Sequence, residues 1–253
     1  MNMLEAVLLG VTQGVTEWLP ISSSGHLAAA QILLGLEEPL LFEVVLHVAT
    51  LLVIFIFFRR DLLQISSAAL KLDFRSEHGR LILLILLGSV PVAIVGLLFY
   101  DYYLTLFDLK VLGLCFAASG VFVASSKLRR GGSKTVSARA ALLIGLAQAL
   151  ALLPGFSRSG LTISVALLAG VKREEAFRFS FLLSIPAVLG ALLLTLIKSS
   201  VDAALVPPLL VGGVTAVVVG YLSLSILRKL LMKGFFHLLG FYTIALGLLL
   251  LLL

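Results

Sequence analysis

Six apolar runs in this chain are each long enough to cross a lipid bilayer as a helix, and this property limits the fold more than any other. A transmembrane helix needs about 20 consecutive, mostly apolar residues. The chain is 60% hydrophobic and 13% charged, with a mean hydropathy of +1.17, which is typical of polytopic membrane proteins. We therefore predict one all-α integral membrane domain over residues 1–253, with transmembrane helices near residues 40–58, 81–99, 104–124, 176–197, 204–227 and 235–253.

Two other apolar regions are interrupted by polar and helix-breaking residues. An arm of about 11 to 16 residues, at 1.5 Å per residue, reaches only part of the way through a hydrocarbon core of about 30 Å. We therefore predict two re-entrant helical hairpins. Their arms are residues 3–18 and 26–36 around the break at 20–25, and residues 138–153 and 160–170 around the break at 154–159.

The resulting order is hairpin, three spans, hairpin, three spans, which indicates an internal duplication. Because three is odd, the second half begins on the opposite face of the membrane from the first. The sequence therefore predicts an inverted-topology repeat, with repeat 1 at about 1–125 and repeat 2 at about 138–253. Such repeats bring two broken helices together near the bilayer midplane.

The basic residues are distributed very unevenly between the loops. Sixteen of the 19 Lys and Arg residues fall near 59–80, 125–139, 171–178 and 228–233, whereas Lys110 and Lys198 belong to the other face. Short cytoplasmic loops are enriched in Lys and Arg. This asymmetry places both termini and the first hairpin outside, and it accounts for the net charge of +6 without a nucleic-acid partner.

Two features are assigned to the membrane surface. Trp18 is interpreted as an interfacial anchor, because Trp is enriched at membrane–water boundaries. Residues 61–72 fit either an interfacial amphipathic helix or an ordinary loop.

The first break carries side chains that are rare at membrane depth: Gln13, Glu17, Ser22, Ser23, Ser24 and His26. An ionisable side chain within a bilayer costs about 3 kcal/mol on translocon scales, so such a cluster indicates a functional site. A hydroxyl, an imidazole and a carboxylate also suit nucleophilic attack on phosphorus. We favour Ser23 as nucleophile with His26 as general base and then acid, and His26 as nucleophile is the competing assignment. Glu17, alone or with a divalent cation, would orient His26 or bridge phosphate oxygens, supported by Gln13.

The second break contains Arg158, whose guanidinium keeps its charge and whose planar fork matches phosphate oxygens. Burying this side chain requires an anion. The surrounding serines and glycines, at the start of a helix, suit a phosphate cradle. We assign phosphate binding to five residues of the two breaks: Ser22, Ser24, Ser157, Ser159 and Gly160.

Four segments together resemble one known family in the correct order: Gln13–His26, Phe42–His47, Pro154–Gly160 and Phe179–Pro186. The resemblance extends over essentially the whole chain and is to the undecaprenyl-diphosphate phosphatase family linked to bacitracin resistance. In that family the position of Gln13 is held by Glu or Gln. Here Gln13 removes one carboxylate from the motif.

The resemblance implies an enzyme that removes the terminal phosphate of a long polyprenyl diphosphate. The product would be the monophosphate carrier used in cell-wall glycan synthesis at the bacterial plasma membrane. The same resemblance implies assistance by Mg²⁺ or Ca²⁺, with Glu17 as a metal ligand, and a homodimer among membrane lipids.

Two alternatives compete with this function. Inverted repeats with paired broken helices also occur in secondary transporters, so a carrier or flippase for a phosphorylated polyprenyl lipid or anion is the second hypothesis. A carrier, however, needs no nucleophile and base. The type 2 phosphatidic acid phosphatases are disfavoured, because their downstream motif needs a histidine where this chain has Ser164.

Overall fold

The computed structural model describes residues 3–34, 40–103, 108–129, 132–198 and 206–253, and these residues fold almost entirely into helices. A 3-10 turn at Ser126–Leu128 and an isolated bridge between Lys134 and Val171 are minor additions. The α-helices are α1 Met3–Thr16, α2 Ser23–Leu34, α3 Leu40–Phe57, α4 Arg59–Leu70, α5 Glu77–Tyr103, α6 Leu109–Ser125, α7 Ala138–Leu150, α8 Arg158–Leu168, α9 Arg173–Lys198, α10 Val206–Lys233 and α11 Leu238–Leu252. The predicted all-α class is confirmed.

Each of the six predicted spans coincides with one helix: α3, α5, α6, α9, α10 and α11. Residues 104–107 and 204–205 of the predicted spans lie outside the described residues. Four of these helices contain stretches long and apolar enough to cross a membrane, namely Glu77–Phe99, Leu109–Leu128, Arg173–Leu194 and Val206–Lys233. Helix α6 begins after Asp108 because this carboxylate caps it, accepting a hydrogen bond from Lys110 N at 2.9 Å.

The two interrupted regions are pairs of short apolar helices, α1 with α2 and α7 with α8. Both breaks lie close to the predicted positions, and each contains a residue with left-handed backbone. Ser22 has φ of 68° and Gly155 has φ of 93°. Glycine adopts this region readily, whereas serine does so only when the surrounding structure holds it there.

Helix α4 shows that residues 61–70 are helical, so this segment is not an ordinary loop, and its interfacial position stays a prediction. Arg178 on α9 forms ion pairs with Asp61 on α4 and with Glu77 at the start of α5, the latter at 2.9 Å. Leu63 and Leu70 are exposed on α4. The ion pairs of Arg178 thus link α4 to α9 and to the start of α5, while apolar side chains of α4 stay exposed on the surface.

The interpretation of Trp18 as an interfacial anchor is wrong. Its side chain is buried in the core and packs edge-on against Phe181, with ring centroids 5.4 Å apart. Gly220 lies directly beside the indole nitrogen, where a Cβ would come within 2.8 Å of it. Trp18 therefore fills the space under the first break, where its large ring supports the backbone that carries Glu17.

Glycines allow the principal helix pairs to approach closely. A Cβ added at Gly10 on α1 would lie 2.5 Å from the carbonyl oxygen of Gly212 on α10, and one at Gly120 on α6 would lie 2.6 Å from the carbonyl oxygen of Gly240 on α11. Small residues are the usual means of close packing between membrane helices, because burial of apolar surface does not drive association in lipid. Gly145 on α7 meets the backbone of α5 in the same way.

Gly120→Ala is expected to destabilise the protein, because the new methyl group would meet backbone atoms of Gly240 and Ile244 that cannot move independently. Overpacking of this kind costs about 1–3 kcal/mol. Gly190→Ala on α9 is the matched control, since a Cβ there meets nothing within 4 Å and alanine favours helices by up to about 1 kcal/mol. The midpoints of thermal unfolding in detergent measure both effects. Equal midpoints for the two variants would contradict this account of the α6–α11 contact.

Candidate functional site

The site forms where α2 and α8 begin, because the two breaks meet there. Each helix is capped by a serine: Oγ of Ser22 accepts a hydrogen bond from Gly25 N at 3.2 Å, and Oγ of Ser157 accepts one from Gly160 N at 3.1 Å. The breaks touch, since a Cβ added at Gly25 would lie 3.0 Å from Cα of Gly155. The positive ends of two helix dipoles therefore lie close together, which favours an anion beside them.

Glu17 is the centre of the polar contacts in this site. Its buried carboxylate accepts hydrogen bonds at Oε2 from Ser23 Oγ at 2.6 Å and from Gln13 Nε2 at 3.1 Å. Its other oxygen, Oε1, forms an ion pair with Nη2 of Arg158. One carboxylate thus joins the helix before the first break, the first residue of α2 and the first residue of α8.

His47 on α3 also reaches this carboxylate, with Nε2 3.4 Å from Oε2 of Glu17. The sequence placed this histidine in the middle of a span without assigning it to the site. Its side chain is about a third exposed, in contrast to Glu17. The imidazole therefore lies beside the carboxylate and remains partly accessible to solvent.

Arg158 has donor capacity that the protein does not use. Its Nη1 is buried and has no hydrogen-bond partner among the described residues, while Nη2 pairs with Glu17. Buried polar atoms are rarely left without a partner, so an exception of this kind needs an explanation. A ligand with anionic oxygens would supply the missing acceptor.

His26 is held by contacts at both ring nitrogens. Nδ1 lies 2.7 Å from the carbonyl oxygen of Ser22, which can only accept, so Nδ1 carries a proton. Nε2 lies 2.9 Å from the hydroxyl of Tyr242 on α11, and Phe116 packs edge-on against the ring. The Ser23 hydroxyl donates to Glu17 and not to His26, so the role of His26 as general base stays a prediction.

The serines assigned to phosphate binding have structural roles in this arrangement. Ser22 and Ser157 use their hydroxyl groups as helix caps, and Ser159 Oγ lies 3.3 Å from Ser157 Oγ. Ser24 is half-buried on the first turn of α2. Their phosphate contacts stay predictions, and the amide groups at the start of a helix are the kind of donor that binds an anion.

Two supporting residues were not found from the sequence, Ser119 on α6 and Tyr242. Ser119 Oγ accepts a hydrogen bond from Ser157 N at 3.0 Å and so fixes the second break to α6. Tyr242 restrains His26. Each is a polar residue within an apolar helix, which was the available signal, but the partner depends on how helices distant in sequence pack.

Glu17 and Gln13 are the oxygen donors that suit a divalent cation. Within the described ranges, no group of three or more His, Cys, Asp and Glu side chains is arranged to hold a metal ion. The buried Oε1 of Gln13 has no hydrogen-bond partner in that part of the chain, although Nε2 of the same side chain donates to Glu17. Mg²⁺ often binds through one or two protein ligands together with substrate phosphates, so this donor set fits a cation that arrives with a diphosphate.

Comparison with known proteins gives a family for this chain. Residues 6–249 match the family model of the bacitracin resistance protein BacA. The chain belongs to this family. The matched range includes Glu17 and Arg158. Among the described residues, four helices are long and apolar enough to cross a membrane, so the chain is a multi-pass membrane protein of the BacA type.

Curated relatives match over nearly the whole chain. The protein named undecaprenyl-diphosphatase of Korarchaeum cryptofilum is 41% identical over 256 residues, which cover 98% of this chain and 97% of the relative. Those of Carboxydothermus hydrogenoformans and Treponema denticola, which bear the same name, are 40% and 39% identical, each over 98% of this chain and 95% and 96% of the relatives.

Glu17→Gln is expected to lower stability strongly, because it leaves the part-buried guanidinium of Arg158 without its counter-charge. Removing one partner of a buried ion pair costs about 3–5 kcal/mol. Glu174→Gln is the matched control: its pair with Arg228 is exposed, and such pairs contribute at most about 1 kcal/mol. Thermal unfolding in detergent compares them. A fall no larger for Glu17→Gln than for Glu174→Gln would show that the pair does not hold the breaks together.

Proposed function

We propose that this protein is a membrane phosphatase that hydrolyses undecaprenyl diphosphate to undecaprenyl phosphate and inorganic phosphate. The observation that carries the proposal is the hydroxyl of Ser23, 2.6 Å from the buried carboxylate of Glu17 and opposite the guanidinium of Arg158. This arrangement provides a nucleophile, a proton acceptor and an anion-binding group in one place. The name undecaprenyl-diphosphatase of the relatives supports the lipid substrate.

In the first step, Oγ of Ser23 attacks the terminal phosphorus while its proton passes to Glu17. The new Ser–O–P bond forms as the bond from that phosphorus to the bridging oxygen breaks, and undecaprenyl phosphate leaves. The second step is attack of water on the phosphorus of the phosphoserine, which breaks the bond between Oγ and phosphorus: inorganic phosphate leaves, and the proton held by Glu17 returns to Oγ. His26 is assigned to this step as general base: Nε2 accepts the proton of the water after it releases the Tyr242 hydroxyl.

Arg158 and the starts of α2 and α8 hold the charge of the diphosphate. Phosphoryl transfer depends on positioning and on electrostatic stabilisation of oxygens that share the developing charge. Nη1 of Arg158, which has no hydrogen-bond partner in the described ranges, is a donor available for these oxygens, and helix N-termini add amide groups of the same polarity. A divalent cation, Mg²⁺ or Ca²⁺, held by Glu17 and Gln13 would add positive charge beside the phosphates.

Ser23 is preferred over His26 as the nucleophile. Both nitrogens of His26 already contact other groups, the Ser22 carbonyl and the Tyr242 hydroxyl. Attack by the imidazole would require Nε2 to leave Tyr242, whereas the Ser23 hydroxyl is already oriented by a carboxylate. The two assignments predict different covalent intermediates.

The test is phosphate release from a C55 polyprenyl diphosphate by the purified protein in detergent with Mg²⁺. Release is expected to fall by at least about 100-fold in Ser23→Ala and Arg158→Ala, in line with general contributions of nucleophiles and charged donors. Ser225→Ala, in an exposed stretch of α10, is the control. The same phosphate-release assay with a metal chelator added tests whether the reaction needs a divalent cation. No release by folded wild type would overturn the function, and the carrier hypothesis would then lead.

Rapid acid quenching distinguishes the nucleophiles, because phosphoserine survives acid and phosphohistidine does not. Acid-stable label on the peptide containing Ser23 is the expected result. Acid-labile label that is lost in His26→Ala would transfer the role to His26.

We propose that the two halves form the inverted repeat expected from the sequence, with six transmembrane helices and two re-entrant hairpins. Support comes from equivalent packing: α1 lies on α10 as α7 lies on α5, and α3 lies on α10 as α9 lies on α5. Helices α6 and α11 pack on each other through two reciprocal glycine contacts, Gly113 with Gly247 and Gly120 with Gly240. Reciprocal contacts of this kind are those of a pair related by a two-fold axis.

The proposed location is the cell membrane, with both termini outside and the basic loops in the cytoplasm. In this position the enzyme would recycle the lipid carrier for cell-wall glycan synthesis. Homodimer formation stays a prediction from the resemblance.

Cysteine labelling tests the orientation. Ser133 is exposed in a basic loop and Asp108 is exposed before α6, while the native Cys115 is buried. Ser133→Cys is expected to react with a membrane-impermeant maleimide only after the cells are opened, and Asp108→Cys in intact cells. The reverse pattern would invert the proposed topology.

A further inference from the structure

A cavity of about 240 Å³ lies where α6, α8 and α10 end, and none of the residues of the proposed phosphatase site lines it. The basic side chains that line it are Lys127, Arg129, Arg173, Lys233 and His237. No Asp or Glu is among its lining residues in the described part of the chain. The two lysines and two arginines therefore concentrate positive charge around a small volume.

The two arginines are held in place by the ends of helices. Nη1 of Arg129 donates to the carbonyl oxygen of Leu168 at the end of α8, and Nη1 of Arg173 donates to that of Met232 near the end of α10, both at 2.9 Å. Arginine side chains commonly bind the last carbonyl groups of a helix in this way, and here the two bonds hold both guanidinium groups beside the cavity. The guanidinium of Arg129 has further donors beyond this single bond.

Glycine makes room for each arginine. Gly170 follows α8 with φ of 86° and Gly234 follows α10 with φ of 83°, as is common where helices end. A Cβ at Gly170 would lie 2.7 Å from Nη1 of Arg129, and one at Gly234 would lie 3.0 Å from Nη2 of Arg173. The two helix ends and the two guanidinium groups are thus fitted to each other.

Two other arginines at this end of the molecule form ion pairs with acidic side chains that do not line the cavity. Arg178 forms ion pairs with Asp61 and Glu77, and Arg228 forms one with Glu174. Lys127 and Lys233 are exposed at the rim of a cavity lined without carboxylates. Like charges held around one space repel each other, and an anion that enters the space lowers this repulsion.

We propose that this cavity binds the phosphate group of an anionic ligand, either the headgroup of an anionic phospholipid or free inorganic phosphate. The volume is below the roughly 300–1,000 Å³ of pockets for drug-sized ligands, so it suits a single phosphate and not a nucleotide. Basic pockets between helices at the cytoplasmic side of membrane proteins bind lipid headgroups of this type.

The test compares Lys127→Gln/Lys233→Gln with Lys71→Gln/Lys229→Gln, a control that removes the same charge from exposed lysines outside the cavity. Native mass spectrometry measures retention of phosphatidylglycerol against phosphatidylcholine. Thermal unfolding measures stabilisation by inorganic phosphate against chloride at equal ionic strength. Hydrolysis of the C55 diphosphate at the rate of the control confirms that the cavity variant is folded.

Wild type and control are expected to retain phosphatidylglycerol or to be stabilised by phosphate, with a several-fold weaker response in the cavity variant. Loss confined to the lipid arm identifies a headgroup site, and loss confined to the phosphate arm identifies a site for the free ion. Phosphate bound at the phosphatase site contributes equally to both variants and cancels. Identical behaviour of the cavity variant and the control in both arms, or no binding by wild type, would overturn the proposal.

Discussion

The ion pair between Glu17 and Arg158 is the interaction on which the site depends. The two residues lie in different halves of the chain, each at a break between short helices, and both are largely withdrawn from solvent. A charge in such surroundings is stable only beside an opposite charge and additional hydrogen bonds. Ser23 and Gln13 supply those bonds to Glu17. The pair therefore aligns the starts of α2 and α8 and orients the Ser23 hydroxyl at the same time.

The rest of the fold brings these two charges together. Glycine contacts let α1 lie against α10 and α7 against α5, which positions the arms that lead to each break. Trp18 fills the core directly beside Glu17 and packs on Phe181 of α9. Ser119 fixes the second break through the amide of Ser157. Precise placement of the arms matters, because a shift of about 1 Å in catalytic geometry has a large effect on rate.

The fold was predictable from the sequence to the extent that hydrophobicity determined it. Long apolar runs must become helices in a membrane, since every backbone polar group needs an internal partner there, and the breaks coincide with Pro20 and Pro154. An additional signal is visible in the two breaks themselves: Gln13, Ser22, Ser24 and Gly25 recur at one constant spacing as Gln148, Ser157, Ser159 and Gly160. The two breaks differ at the residues proposed for catalysis, because Arg158 in the second break is at the position equivalent to Ser23 in the first.

The sequence by itself determined the helical class, the two breaks and the polar residues at their tips. An ionisable residue such as Glu17 or Arg158 is costly to bury in a membrane, so its presence between apolar segments indicates a functional site without any knowledge of the fold. Only the tertiary structure decided which groups meet. Ser23 donates to Glu17 and not to His26, His26 contacts Tyr242, and Trp18 lies in the core. These contacts join residues on different helices, and their geometry follows from helix packing, which no local pattern in the chain encodes.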